Sequence, residues 1–494
     1  MRTCQLTAAA VLAVGLCGAA TRAAQSPVPD GVPVTFTEHV APILFEHCAS
    51  CHRPGEAAPF PLLTFEDART RGRLIAAVTQ AGLMPPWKAA PGDYKFRNER
   101  RLTDAQKDLI QRWVAAGMPQ GDPRHLPPRP TFTDGWQLGP PDLIVSMPEP
   151  FEVPASGPDI YRNFVIPLGL REDAWVRAVD FRPSARSVVH HSLFFVDATG
   201  SARERDARDP RPGFSGAMGA GVGLGGRGRL AGLFGLGGAA GRGSTSAADA
   251  IRQTGSLGGW AVGGRAQELP EGLAYFVPAG ADLVLSMHFH PSGKRELEAS
   301  TVGLYFADRP PTRAFMPIQL PPLFGALEGI DIPPGERGYT IADSFVLPVD
   351  VEAFAISAHA HYLGREMSLV ATLPDGTRRT LLRIPEWDFA WQEQYQLQEF
   401  ARLPRGARLD ATITYDNSAD NPRNPSQPPV RVTWGEQSTD EMGSITLHVV
   451  ASREGDLPLL RQAYAEHVRW AAATRPGLAQ LLRRGLVRGA GRGR

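Results

Sequence analysis

Residues 281–290 read ADLVLSMHFH, and residues 351–361 read VEAFAISAHAH. On a strand, side chains at i and i+2 share one face. In the first stretch Leu283, Leu285, Met287 and Phe289 fall on one side, and Val284, Ser286, His288 and His290 on the other. In the second, Phe354, Ile356, Ala358 and Ala360 alternate with Ala355, Ser357, His359 and His361. This alternation predicts strands that pack one face on a core. Each strand also projects two imidazoles from one face, two strand rises apart, a spacing that suits a shared metal ion.

The surroundings of these strands read the same way. Strand-like runs recur at 164–166, 188–196, 411–415, 430–434 and 445–450, with turn signals at Pro374-Asp375-Gly376 and Asp416-Asn417. With 52 Gly and 45 Pro and few helical patterns, this part predicts all-β sandwiches. At 494 residues the chain is too long for one ordinary domain. Seven prolines between Pro119 and Pro141 mark an extended linker and a boundary. Residues 213–243 hold 14 Gly and read as a flexible surface insertion. Apolar spacing over 457–473 predicts a terminal helix, followed by a basic tail that is either solvated or in contact with an anionic membrane or partner. A net charge of +1 gives no reason to expect a nucleic-acid partner.

The N-terminus reads as a secretory signal. Arg2 precedes an apolar run from Ala8 to Ala20, too short to span a bilayer, and small residues place a cut near Ala23 or Ala24. The mature chain is therefore expected outside the cytoplasm, in a periplasm, with no transmembrane segment. Of four cysteines, Cys4 and Cys17 leave with the signal, so Cys48 and Cys51 are the remaining pair.

That pair sits in Cys48-Ala49-Ser50-Cys51-His52. Two thiols at this spacing can add to the two vinyl groups of a haem, and the next residue is then held beneath the iron as its proximal ligand. A redox dithiol is the competing reading, but it does not require the histidine. Phe36, Val40, Ile43 and Leu44 suggest a short helix entering the motif, with Pro42 near its start. Thr103 and Gln106 form a capping box for a second helix, Leu109, Ile110, Trp113 and Val114 make its apolar stripe, and Gly117 ends it. The region resembles a small class I cytochrome c. Met84, on a loop stiffened by Pro85 and Pro86, is the preferred sixth iron ligand, and Met118 is its competitor. His39 and His47 read as surface residues.

In the β-rich part the remaining chemistry gathers around histidines. Met442 and His448 share a strand face with Ser444 and Thr446, opposite Ile445, Leu447 and Val449. A thioether beside two imidazoles favours copper, above all Cu(I), over zinc. The adjacent pair His190-His191 fits less simply. Neighbours on a flat strand point to opposite faces, so both reach one metal only if the strand is distorted or ends there.

The order of these groups resembles the copper type II, ascorbate-dependent monooxygenases, the family of dopamine β-hydroxylase and peptidylglycine α-hydroxylating monooxygenase. The matching stretches are Val189-His190-His191-Ser192, 283–290, His359-Ala360-His361-Tyr362-Leu363-Gly364-Arg365 and Asp440-Glu441-Met442, within about 141–450. The resemblance implies two packed sandwich domains with one copper each. His190, His191 and His288 would hold an electron-relay copper. His359, His361 and Met442 would hold the copper that meets oxygen and cuts the substrate C–H bond. His290 and His448 have no ligand role in that pattern and stand as supporting or solvated residues. Two departures from the animal enzymes are the lack of cysteines for disulfide braces and the Gly-rich insertion between His191 and His288.

The sequence therefore predicts a multidomain chain: a signal peptide (1–24), a small all-α cytochrome c domain (30–122), a Pro-rich linker (123–141), two all-β, jelly-roll-like sandwich domains (142–322 and 323–455), and a short C-terminal helix with a basic tail (456–494). Its expected cofactors are one covalent haem c and two coppers. Its expected partners are O2, a small organic or peptide substrate, and ascorbate or a redox protein as electron donor. The expected function is C–H hydroxylation by an oxidoreductase, with electrons passing from haem through one copper to the other. The alternative is a periplasmic haemoprotein that carries electrons or binds copper without catalysis.

Overall fold

The computed structural model describes residues 29, 31–54, 56, 58–132, 135–216, 254–261, 264–435 and 437–483. The expected signal peptide, most of the Gly-rich insertion and the end of the basic tail lie outside the described residues. The chain is mostly β, with a few helices near its start and a short helical C-terminus.

The helices are Phe36–Val40 continuing into Ala41–His47, then Phe65–Thr70, Gly72–Gln80 and Asp104–Ala115. Pro42 is tolerated because it lies in the first turn of its helix, where a backbone N–H has no partner in any case. The expected capping box is present: Thr103 N donates to Gln106 Oε1 at 2.8 Å, and Gln106 N donates to Thr103 Oγ1 at 3.2 Å. Thr64 and Asp67 make a second one. Leu109, Ile110 and Trp113 bury against Phe36, Ile43 and Leu44 to give this part its own core. Gly117, at φ +81°, ends the last helix in a conformation that glycine adopts most readily.

The four larger sheets of the β part form two pairs, with two two-stranded sheets besides among the described residues. The first pair has a five-stranded sheet in the order Phe214–Ser215, Ile160–Pro167, Asp282–Phe289, Val189–Asp197, Thr254–Ala261. Facing it is a four-stranded sheet built from Leu143–Ser146, Thr301–Phe306, Ala174–Arg182 and Tyr275–Val277. Leu283, Leu285, Met287 and Phe289 point into the core between them, as the alternation predicts. Val284 joins a separate cluster with Val165 and Phe195 on the opposite face, so both faces of this strand are covered.

The second pair sets Phe315–Leu320, Gly443–Ala451, Val351–Ala360 and Gln394–Leu403 against Arg337–Val346, Arg408–Asp416, Gly364–Thr372 and Arg378–Ile384. One expectation fails here. Phe354 does not share a face with Ile356, because the register slips between Ala353 and Ala355 against both neighbouring strands. The extra residue of this bulge reverses the alternation. Val351 and Ala353 therefore join Ile356, Ala358 and Ala360 in the core, while Phe354 packs on the other face with Ala355 and Val450.

Two connections join the parts. Residues 87–98 leave the helical region and enter the second β core: Trp87, Ala89 and Phe96 are buried there with Tyr395 and Leu397. Their backbone is stitched in as well, with Arg97 N donating to Gln396 O at 2.7 Å and Gln398 N to Lys95 O at 2.9 Å. The end of the Pro-rich stretch lies against the first β half, where Trp136 and Pro141 pack over Gly303. Phe214, within the stretch read as a surface insertion, is instead buried at a sheet edge and pairs with Asn163.

The C-terminal helix Leu457–Thr474 docks on the second half through Leu457 and Leu460, and His467 Nε2 lies 2.8 Å from the buried Asp343. Among the described residues, no helix is long and apolar enough to cross a membrane.

Candidate metal centres

A bulge brings the first group together. Val189 pairs with Phe289 and His191 with His288, so His190 is the extra residue between two paired positions. The strand is distorted at the one place where distortion lets adjacent histidines converge. His190 Nδ1 and His191 Nδ1 are 3.0 Å apart, and His191 Nδ1 lies 3.3 Å from His288 Nδ1. One nitrogen from each of the three lies within 4.8 Å of the others, so the group could hold a metal ion.

His191 and His288 are buried and His190 half-buried. Burial first, and the neighbouring His288 second, push His190 down to about 4 and His191 well below its ordinary value. Both are therefore neutral at pH 7, the form that binds metal. Asp159 orients the third ring: His288 Nε2 lies 2.9 Å from its carboxylate, and the Tyr161 ring stacks on His288 at 4.5 Å. Burial disfavours the Asp159 charge, but hydrogen bonds from His288, Ser438 and His290 outweigh that and hold its carboxyl well below the usual range. His290 lies past the strand end, exposed, with Nδ1 2.8 Å from Asp159. It supports the group through Asp159.

The second group lies at the end of the Val351–Ala360 strand. The His359 and His361 rings are 5.3 Å apart and meet edge-on. His359 Nδ1 donates to Gln392 Oε1 at 2.5 Å, and His361 Nδ1 donates to Asp440 O at 3.1 Å. These partners select the tautomer that leaves each Nε2 available to a metal. Burial pushes His359 down to about 4 and His361 well below its ordinary value. His359 pairs with Ser444 and Ala360 with Gly443, and continuing that register sets Met442 opposite His361. Met442 is buried.

Glu441 fixes this corner. Its fully buried carboxylate accepts from the backbone N–H groups of His361 (3.0 Å), Leu363 (2.6 Å) and Met442 (3.2 Å). Burial pushes its carboxyl up to about 8 against those three donors. His448 lies elsewhere on the same strand face. It pairs with Ala355, four positions before His359, roughly 13 Å along the strand. Its neighbours there are the rings of Phe315 and Phe354, and burial pushes it down to about 4.

A loop joins the two groups. Phe389, 2% exposed, has its ring centre 5.1, 6.2 and 5.9 Å from the rings of His190, His191 and His288, and 6.4 and 5.3 Å from those of His359 and His361. A cleft of about 590 Å³ opens beside it, with Asp159, His190, Tyr362, Arg423 and Ser438 among its walls.

At the other end of the chain, Cys48, Cys51 and His52 follow the first helical segment. His52 Nδ1 donates to Phe60 O at 3.0 Å, which frees Nε2 as a haem iron ligand requires. Burial, reinforced by Cys51, pushes the Cys48 thiol up to about 12. A low-pKa redox dithiol would need the opposite shift. Glu56 pairs with Arg53 and with Arg186, tying this loop to the first β half ahead of the strand Val189–Asp197. Met84 is half-buried at the mouth of the segment that enters the second core. The competing Met118 packs against the helical core, its sulfur over Gly72 beside Trp113. His39 is buried and capped by Thr35 N, not on the surface, and half-buried His47 bonds to Gln106.

The sequence reading missed Phe389, Gln392 and Asp159, each a single common residue outside any histidine pattern. Glu441 carried one signal, its place beside Met442.

No protein-family model matches the chain, and no curated protein matches it. Solved structures resemble it weakly. The VP2 subviral particle of infectious bursal disease virus is 10% identical, with 67% of this chain and 76% of that chain covered and a TM-score of 0.18. The major capsid protein P2 of bacteriophage PM2 is 11% identical, with 62% and 96% covered and a TM-score of 0.20.

Proposed function

We propose that the chain is an exported, periplasmic copper-dependent monooxygenase of the copper type II, ascorbate-dependent kind, with a c-type haem attached at Cys48 and Cys51. On this reading the helical part within 30–122, apart from the 87–98 thread, is a class I cytochrome c domain, and the two β halves are jelly-roll-like copper domains. The observation that carries it is the convergence of five histidines on Phe389 as two groups. One is a cluster of three imidazoles; the other is two imidazoles with Met442 on the adjoining strand. Three protein ligands leave a metal position open in each group, and the thioether favours reduced copper.

The reaction breaks one substrate C–H bond and forms one C–O bond. The second oxygen atom leaves as water, which consumes two electrons and two protons. Bound copper would supply one-electron chemistry and a place for oxygen. The chain's own residues do the rest. Asp159 holds the His288 ring, and Gln392 and the Asp440 carbonyl hold His359 and His361. Burial holds His359 and His361, and His190 and His191 across from them, in the neutral form. The cleft beside Tyr362 and Phe389 is the place for a small organic or peptide substrate. Cys48, Cys51 and His52 would hold a haem, with Met84 as a further iron ligand, and it would supply electrons drawn from ascorbate or a redox protein.

The test is copper and iron content per chain, on protein matured in a periplasm and loaded with copper. Two coppers and one iron are expected, and the reduced haem should reoxidise only when copper, oxygen and substrate are all present. Iron without copper would reduce the chain to a cytochrome on a β scaffold and overturn the reading.

A further inference from the structure

We infer that Phe389 is the spacer of the two histidine groups: it sets their separation and keeps water from bridging them. The inference rests on the reading of both groups as copper sites. The ring makes one step of 5.1 Å to His190 and another of 5.3 Å to His361, so these two imidazoles lie within roughly 10 Å of each other. Phe389 is apolar, offers no ligand atom, and is 2% exposed. A ring held there would keep one water or oxygen atom from bridging metals bound by the two groups.

The ring is not free to swing away. Trp387 Nε1 donates to His361 O at 3.1 Å, and Trp387 packs so tightly on Gly364 that a Cβ there would come 2.6 Å from it. Gln392 binds His359, and its Nε2 also donates to Phe389 O at 3.1 Å. Asp388 lies 3.6 Å from Lys88 Nζ and 3.5 Å from Arg423 Nη2. Anchors on both sides of position 389 thus hold the loop to the second group and to the segment arriving from the helical part. The ring also forms part of the cleft wall with His190 and Tyr362, so the cleft reaches the ring that touches both groups. Phe389 is a positioning residue: it touches imidazoles, not metal.

The test uses the full chain loaded with Cu(II) alone. Pulsed dipolar electron paramagnetic resonance gives the copper–copper separation, and deuterium modulation in D2O reports water near each copper. The native chain should show two coppers at one narrow separation. Phe389→Ala should keep two coppers but shift the mean separation by about 1 Å or more, broaden its distribution about twofold and gain deuterium modulation. Phe389→Leu, which keeps an apolar filler and most of the packing, should fall between the two and decides the matter if the alanine variant does not fold. Two coppers with unchanged separation and unchanged modulation in the folded variants would overturn the spacer alone. Fewer than two coppers in the native chain would overturn the copper reading and the spacer with it.

Discussion

Single residues set the chemistry of the second group. On the copper reading proposed above, Met442 contributes the one soft ligand, and removing its sulfur would take away the preference for reduced copper. Met442→Ala should lower oxygen-dependent turnover by about 100-fold or more while leaving the haem spectrum unchanged. An unaltered rate would refute the assignment of Met442. Its neighbour acts through the backbone. Glu441→Ala leaves three buried N–H donors without an acceptor, each worth about 1–3 kcal/mol. A loss of about 3 kcal/mol or more is expected in denaturant unfolding, with a smaller loss for Glu441→Gln. An alanine variant within about 0.5 kcal/mol of the native chain would show that the carboxylate does not brace this corner.

Individual strands and loops decide which parts of the molecule were legible in advance. The alternation of 281–290 was legible because its two faces differ in composition, and Leu283, Leu285, Met287 and Phe289 occupy the core as read. The His190-His191 pair was legible only as a condition, that the strand must be distorted. A bulge leaves no local mark in composition, and neither that one nor the bulge at Phe354 could be read from single residues. The 385–393 loop was invisible for another reason: Phe389 acquires its place from contacts with five residues that lie far from it in sequence or across a turn. The segment 87–98 falls within the 30–122 domain read from the sequence, though its apolar residues bury in the second β core. Trp87 is 8% exposed in the second β core, so Trp87→Ala should cost about 3–5 kcal/mol. It should also open the 84–98 stretch to limited proteolysis, and resistance equal to the native chain's would show that Phe96 and the backbone pairing suffice.

At the scale of the whole molecule, buried histidines couple stability to pH. Burial holds His190, His359 and His448 down at about 4 and His191 and His361 well below their ordinary value, whereas in an unfolded chain each titrates near 6.5. The unfolded state therefore takes up protons that the folded state refuses. The stability these neutral rings contribute is present above pH 6.5 and lost as pH falls toward 4, by up to about 1.4 kcal/mol per pH unit for each histidine. Unfolding of the metal-free chain at pH 7 and pH 5 measures this. His448→Leu should flatten the slope by one proton and leave copper content unchanged, and a slope already flat in the native chain would contradict it. The threading of residues 87–98 through the second β core has a consequence for how such a protein can be rearranged. The helical unit is not a cassette. A cut in the Pro-rich stretch would strip Trp87 and Phe96 from the body they fill, leaving a headless scaffold with a hole in it and a freed fragment with its apolar side chains bare. Grafting another unit in its place would mean keeping the thread and exchanging only what lies before it.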